Sequence, residues 1–398
     1  MTGSVAERVG RASVLTACVQ AANVWSSADI SVGERWQRIA GLHGRVALAH
    51  LLHEGRVLSL ADFAEGLSGQ LVGLMPEKLR EEWDDIPLLE GNGLGGPAAD
   101  LLMENLAPSA TAEQVADWSW QSLSAEKVQG WLYHQLLASG SDEGYVRARL
   151  AVIQNPAGEM VAVNNRLKEV GLPRDGLYEP IPSWAWIAKG GNRFWFRCPL
   201  CRWPMRVQLG TVSCLYPPHQ KQVGSLTIRW HGDGSPELAG LRLDRIGNAG
   251  MDVDVSPQPV DGQIALVHPV WRYSTIPGWE EWWLAEKLRE IEGVDASLWP
   301  LSDSYDLLVT VKGARWERRV DLKDYSDPGR LASQLSRKQA LRDKEMVILV
   351  PDYRRSQVSV LNERLQAAFG GSRSRYAWTT KDFVRQVAAV AAKAGAGR

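Results

Sequence analysis

Asp306, Asp321 and Lys323 are the residues of this chain best suited by type and spacing to do chemistry. Fourteen residues separate the two acids, and the second opens the triplet Asp321-Leu322-Lys323. Residues 305–311 are apolar and β-branched, Lys312-Gly313-Ala314 is turn-forming, and 316–322 alternates, so the stretch predicts a β-hairpin. A hairpin returns the end of its second strand beside the start of its first. Two carboxylates and an ammonium then converge, with the Leu322 carbonyl between them. Such hard oxygen donors suit Mg²⁺ (or Mn²⁺), which is typically held by one or two carboxylates, with water and substrate phosphate completing the shell. The bland alternative is a solvated hairpin with surface charges, and the flanking elements decide between the two.

Those elements read in a fixed order: a helix over 278–291, a short strand over 296–299, the hairpin, a helix over 329–342, then a strand over 345–350. A further strand and helix follow over 376–380 and 381–392. On the first helix Pro277, Leu284, Leu288 and Ile291 share one stripe; Glu281 falls on it and Glu280 at its edge. An acid on a buried stripe costs several kcal/mol, on the order of 2–7, unless it is paired or bound to metal. Acids also favour the first turn of any helix through its dipole, which is the ordinary account of Glu281.

The spacing and the order of elements resemble the PD-(D/E)XK nuclease superfamily, the restriction-endonuclease fold. The resemblance implies that Asp306 and Asp321 are the metal-binding acids and that Lys323 positions or polarises the attacking water. It implies Glu281 as a third acid on the first core helix, and it points more weakly to Gln334 on the helix after the triplet.

A second constellation is Cys198-x2-Cys201-x12-Cys214-x4-His219. Four soft N and S ligands in two knuckle-like pairs suit tetrahedral Zn²⁺, and four protein ligands close the site to substrate, so the expected zinc is structural. His231 is the alternative fourth ligand. Cys18, in an apolar run, reads as a small buried hydrophobe. Disulfides are not expected in a chain with sparse cysteine and no recognisable signal segment, which reads as cytoplasmic.

The net charge of −1 conceals an asymmetry. Residues 301–398 carry 19 Lys and Arg against 11 Asp and Glu, whereas the rest carries 26 against 35. A basic domain around an acidic triplet fits a binder of the phosphate backbone, so DNA is the expected substrate. No apolar run approaches membrane-spanning length. The 18 tryptophans read mainly as core.

The expected architecture is multidomain: an α-helical N-terminal region (1–175), a zinc-ribbon-like β-rich middle (176–264), and a C-terminal α/β restriction-endonuclease-like domain (265–398). In the first region, 34–52, 112–123, 127–137 and 143–153 carry helical spacing. Gly91-x-Gly93-x-x-Gly96 matches a dinucleotide-binding glycine pattern but lacks a βαβ context, and reads as a loop between helices. His50 and His53 stand one turn apart without a third ligand, and read as core or surface residues.

Taken together, residues 145–156, 182–205, 271–284 and 305–331 resemble the restriction-endonuclease-fold proteins encoded beside bacterial pPIWI-RE proteins and a helicase. That resemblance implies an anti-phage or anti-plasmid role, with an Argonaute/PIWI-like protein and a helicase as partners, and it allows a homodimer. Two readings compete with an active nuclease: a catalytically inactive zinc-containing nucleic-acid-binding protein, and an adaptor subunit of such a complex.

Overall fold

The computed structural model describes residues 5–27, 31–80, 85–90, 93–94, 98, 101, 128, 131–241, 255–325, 328–338, 341, 343–371 and 373–396. Contacts divide the chain into two units, Met1–Ser124 and Ala125–Arg398. The content is mixed α/β, with several small sheets and one larger C-terminal sheet. No helix among the described residues is long and apolar enough to cross a membrane.

In the first unit, α1 (Val5–Ser26) packs against α2 (Val32–Glu54). Ser31 caps α2 by accepting the Glu34 N–H, and Gly55 ends it at φ 67°, a conformation that costs glycine little. Cys18 is fully buried between the helices, as its apolar run predicts. His50 is a satisfied core histidine, with Nδ1 on Glu54 and Nε2 on the Leu74 carbonyl. Gly93-Leu94 of the glycine-rich stretch pairs antiparallel with Leu89-Glu90 instead of forming an open loop; Gly91, Gly96 and Pro97 lie outside the described residues, as does 112–123.

The second unit begins with helix over 131–137 and then α3 (Asp142–Gln154). Three small antiparallel sheets follow. Ala157–Glu159 and Tyr178–Pro180 flank Gln263–Leu266. Trp186–Lys189 and Asn192–Trp195 form a hairpin, edged by Gln258–Pro259. Its turn is Gly190-Gly191, both with positive φ, as a two-residue turn between twisted strands requires. Arg206–Gln208, Thr211–Ser213, Leu226–Trp230 and Pro236–Ala239 make the third sheet. A 3-10 turn, Ser183–Ala185, leads into the first strand of the hairpin.

The C-terminal part follows the expected order closely. It consists of α4 (Ile276–Arg289), β1 (Val294–Leu298), β2 (Leu307–Val311), β3 (Trp316–Leu322), α5 (Pro328–Ser336), β4 (Met346–Val350), α6 (Gln357–Ala368), β5 (Ala377–Thr379) and α7 (Thr380–Ala396). The sheet order is β1-β2-β3-β4-β5. The first three strands form an antiparallel meander, with Leu307 opposite Val320, and β4 and β5 add in parallel. Every residue of β4 is buried, because helices cover both faces of the sheet. Met346, Ile348 and Val350 join a core with Leu331, Leu335, Leu361 and Leu365 of α5 and α6. Alternation sends Val347 and Leu349 to the opposite face. α6 is absent from the sequence expectation, although Val358, Leu361 and Leu365 recur at helical spacing.

Candidate active site and metal centre

The meander brings the predicted residues to one end of the sheet. Asp306 directly precedes β2, and its N–H donates to the Val320 carbonyl at 2.9 Å. Its Oδ2 accepts the Leu322 N–H at 2.5 Å, so the carboxylate is fixed by the strand that carries the second acid. Asp321 is the penultimate residue of β3. Lys323 extends the ladder by one bond, from its N–H to the Leu349 carbonyl at 2.8 Å. Its Nζ pairs with Asp321 Oδ1 and lies 3.9 Å from Asp306 Oδ2. Both acids are buried, at 9% and 5% exposure, yet they border an open cleft of about 450 Å³ that Tyr305, Lys323 and Lys338 also line.

Their surroundings shift the two carboxyls in opposite directions. Burial, and then the nearby Glu281, pushes Asp306 well above the usual carboxylate range. Burial acts on Asp321 in the same sense, but Lys323 and then Lys338 outweigh it and hold Asp321 low. Burial alone would lower Lys323; Asp306 and Asp321 overcome it, so its ammonium stays charged. A divalent cation between the two acids would relieve the burial penalty on Asp306.

Lys338 is the site residue that sequence reasoning left unassigned. It sits just past α5, and its Nζ donates to Asp321 Oδ2 at 3.1 Å, so each oxygen of Asp321 faces one lysine. Of Gln334 and Lys338, it is Lys338 that lines the cleft.

Glu281 is on the buried side of α4, as its stripe predicts, at 2% exposure. Its Oε2 accepts from Trp299 Nε1 and, at 3.0 Å, from Arg149 of α3. Burial raises its pKa against the pull of Arg149. Its charge acts on Asp306 and Lys323. Arg149 also pairs with Asp303 at 2.5 Å and lies 4.3 Å above the Trp299 ring. Trp299, Leu301, Ser302 and Asp303 all have positive φ, between 46° and 73°, which costs non-glycine residues about 1–3 kcal/mol each. Asp142, at the start of α3, holds this loop by accepting the Leu301 and Ser302 N–H groups at 3.0 Å each. α3 therefore supplies the clamp for the segment leading to Asp306. Nothing in local periodicity could show that, since its partners are some 160 residues away.

The cysteine constellation is assembled as the spacing predicts. Cys198, Cys201, Cys214 and His219 are all buried, and their ligand atoms lie within 4.8 Å of one another. Cys201 Sγ and Cys214 Sγ are 3.8 Å apart, and His219 Nδ1 stands 3.9 and 3.8 Å from Cys198 and Cys214. A tetrahedron with Zn–S bonds of about 2.3 Å has S···S edges of about 3.8 Å, so the donors fit a zinc-sized ion. A disulfide would need about 2.05 Å, and all three cysteines are free. His231 is elsewhere, exposed and paired with Glu237. The first pair sits on a knuckle closed by Arg202 in the left-handed conformation, with its N–H on the Cys198 carbonyl at 2.8 Å. His219 is presented by the short helix Pro217–Val223. Burial, and then Cys198, holds the Cys201 and Cys214 thiols well above their ordinary range, a penalty that a cation would relieve.

Residues 278–395 match a family model described as "REase associating with pPIWI_RE". The match runs from α4 into α7 and contains Glu281, Asp306, Asp321, Lys323 and Lys338, whereas the cysteine centre lies outside it. No curated protein and no solved structure matches the chain.

Proposed function

We propose that this chain is a metal-dependent DNA endonuclease of the PD-(D/E)XK type, working in a prokaryotic defence system beside a pPIWI-type protein. The observation that carries this reading is the convergence of Asp306, Asp321 and Lys323 on one open cleft, inside the region that matches the pPIWI-associated family. The basic surplus of residues 301–398 supports a nucleic-acid substrate. A helicase partner, a homodimer and a cytoplasmic location belong to the same proposal.

Asp306 and Asp321 would hold Mg²⁺ or Mn²⁺. A strand residue directs its N–H and C=O toward the same neighbour, so the Leu322 carbonyl faces Asp306 and can join them. Mg²⁺ bound there would stabilise charge on the phosphate and acidify a water. A cation held there would favour the ionised form of Asp306, which burial disfavours, and would meet Asp321, which the lysines already hold low. Lys323, charged and held between both acids, orients the attacking water and offsets phosphate charge. Glu281, paired with Arg149 and Trp299, adds negative charge behind Asp306 and would assist the metal acids from there. Zn²⁺ in the Cys198, Cys201, Cys214 and His219 centre is structural in this reading.

The test is Mg²⁺-dependent cleavage of plasmid DNA by the full chain, with and without pPIWI-type and helicase partners, alongside Asp321→Ala and Lys323→Ala. Cleavage lost in both folded variants supports the site. Cleavage at the wild-type rate by either variant removes that residue from it. DNA binding without cleavage under every condition would favour the inactive adaptor.

A further inference from the structure

Hydrogen bonds form a continuous path from the cysteine centre to Asp324, the residue that follows the triplet. Tyr216 lies between two of the ligands: its N–H points to Cys214 Sγ at 3.4 Å, and its ring stands edge-on to His219 with centroids 4.8 Å apart. Its hydroxyl meets that of Tyr353 at 3.2 Å, across 137 residues of sequence. Tyr353 donates to Asp324 Oδ2 at 3.0 Å, and Arg354 Nε donates to Oδ1 of the same carboxylate at 3.0 Å. Because Tyr353 gives its one proton to Asp324, Tyr216 must be the donor in the tyrosine pair. Asp324 is the residue after Lys323. Its side chain, 4% exposed, points to Tyr353 and Arg354, while that of Lys323 points to Asp321 and Asp306.

The centre also supports the helix that bears Glu281. Trp203, two residues past Cys201, stacks on Trp271 at 4.1 Å and 12°, and donates to the Leu266 carbonyl at 2.8 Å. The Arg202 guanidinium lies 5.2 Å from the Trp279 ring of α4.

We infer that the cysteine centre sets the position of Lys323, through Tyr216 and Tyr353 acting as positioning residues on Asp324. This rests on the nuclease reading for its catalytic consequence, but its structural claim stands apart from it. A hydroxyl pair anchored on metal ligands fixes the chain one residue beyond the catalytic lysine. Loss of that anchor frees the end of β3 to shift, and misplacement by about 1 Å can cost on the order of 100-fold in rate.

The experiment uses the full chain carrying Tyr216→Phe, Tyr353→Phe and both. Each keeps its ring and loses one hydroxyl. Three quantities are read: bound zinc, amide hydrogen exchange of the 319–325 segment, and Mg²⁺-dependent kcat and KM. The expected result is wild-type zinc content and exchange at Leu322 and Lys323 faster by about tenfold. kcat should fall about tenfold with KM little changed, and the double variant should be no worse than Tyr353→Phe alone, since one path is cut twice. Wild-type exchange and kcat in Tyr216→Phe would overturn the inference. So would zinc loss, or exchange that quickens evenly across the second unit, since either makes the tyrosines general supports. If wild-type protein cleaves neither alone nor with its partners, the nuclease reading fails, and the exchange data still decide whether the path holds the strand.

Discussion

The cysteine centre and the acid cleft are both ligand clusters, built from opposite materials. The first gathers three thiols and an imidazole, all buried, with every donor turned inward. The second gathers two carboxylates and two ammonium groups on the wall of an open cleft. Soft, closed and saturated by protein describes a site that holds a fold; hard, open and internally unbalanced describes one that exchanges ligands with solvent and substrate. The imbalance shows in the acids, where lysines pull the Asp321 carboxyl below the usual range while burial pushes that of Asp306 above it.

The contrast can be broken most forcefully at the thiols. Cys201→Ser should abolish zinc binding and leave the second unit unfolded or strongly destabilised, because structural zinc contributes about 10–16 kcal/mol in small metal-dependent folds. Metal analysis and thermal melts check this, and a stable, active, zinc-free variant would remove the structural role. Asp306→Asn should do the reverse: cleavage falls by about 1000-fold or more, while the melting temperature of Mg²⁺-free protein stays level or rises. The amide still accepts the Leu322 N–H, and a buried acid repelled by Glu281 is gone. Lys338→Gln sharpens the picture at lower cost. With Lys323 still paired to Asp321, kcat should drop about tenfold and DNA affinity should become less salt-dependent, measured by binding titrations in rising salt.

The smallest effect concerns the packing between the two sites. His268 lies against Trp203 and Trp271, and burial, then Arg272, pushes its pKa down to about 3. The unfolded chain takes up that proton near pH 6.5, before the folded chain can. Stability is therefore full above that pH and declines below it, by about 1 kcal/mol between pH 6.5 and 5.5. His268→Gln should flatten that decline in denaturant titrations; an unchanged slope would show that His268 titrates alike in the folded and unfolded chain.

Much of this was legible in the chain because it is local. The hairpin from Leu307 to Leu322 follows from period-2 alternation around Lys312-Gly313, and the four soft ligands from spacing alone. Glu281 was placed on a buried face by its stripe with Leu284 and Leu288. What stayed hidden is what joins distant segments. Asp142 and Arg149 act on a loop some 150–160 residues later. Tyr216 meets Tyr353, and Lys338 reaches back to Asp321. Periodicity says which face of an element is covered, never which remote side chain covers it. The left-handed run at Trp299, Leu301, Ser302 and Asp303 lacks glycine, so no residue type announced it.

The most direct measurement is a cleavage assay on the full chain, dialysed to remove loosely bound metal and its zinc content checked, run without and with added Mg²⁺. The account predicts no cleavage with zinc alone, and cleavage on adding Mg²⁺ that disappears in Asp321→Ala. Cleavage by the zinc-only protein, insensitive to Asp321→Ala, would place the chemistry at the cysteine centre and contradict it.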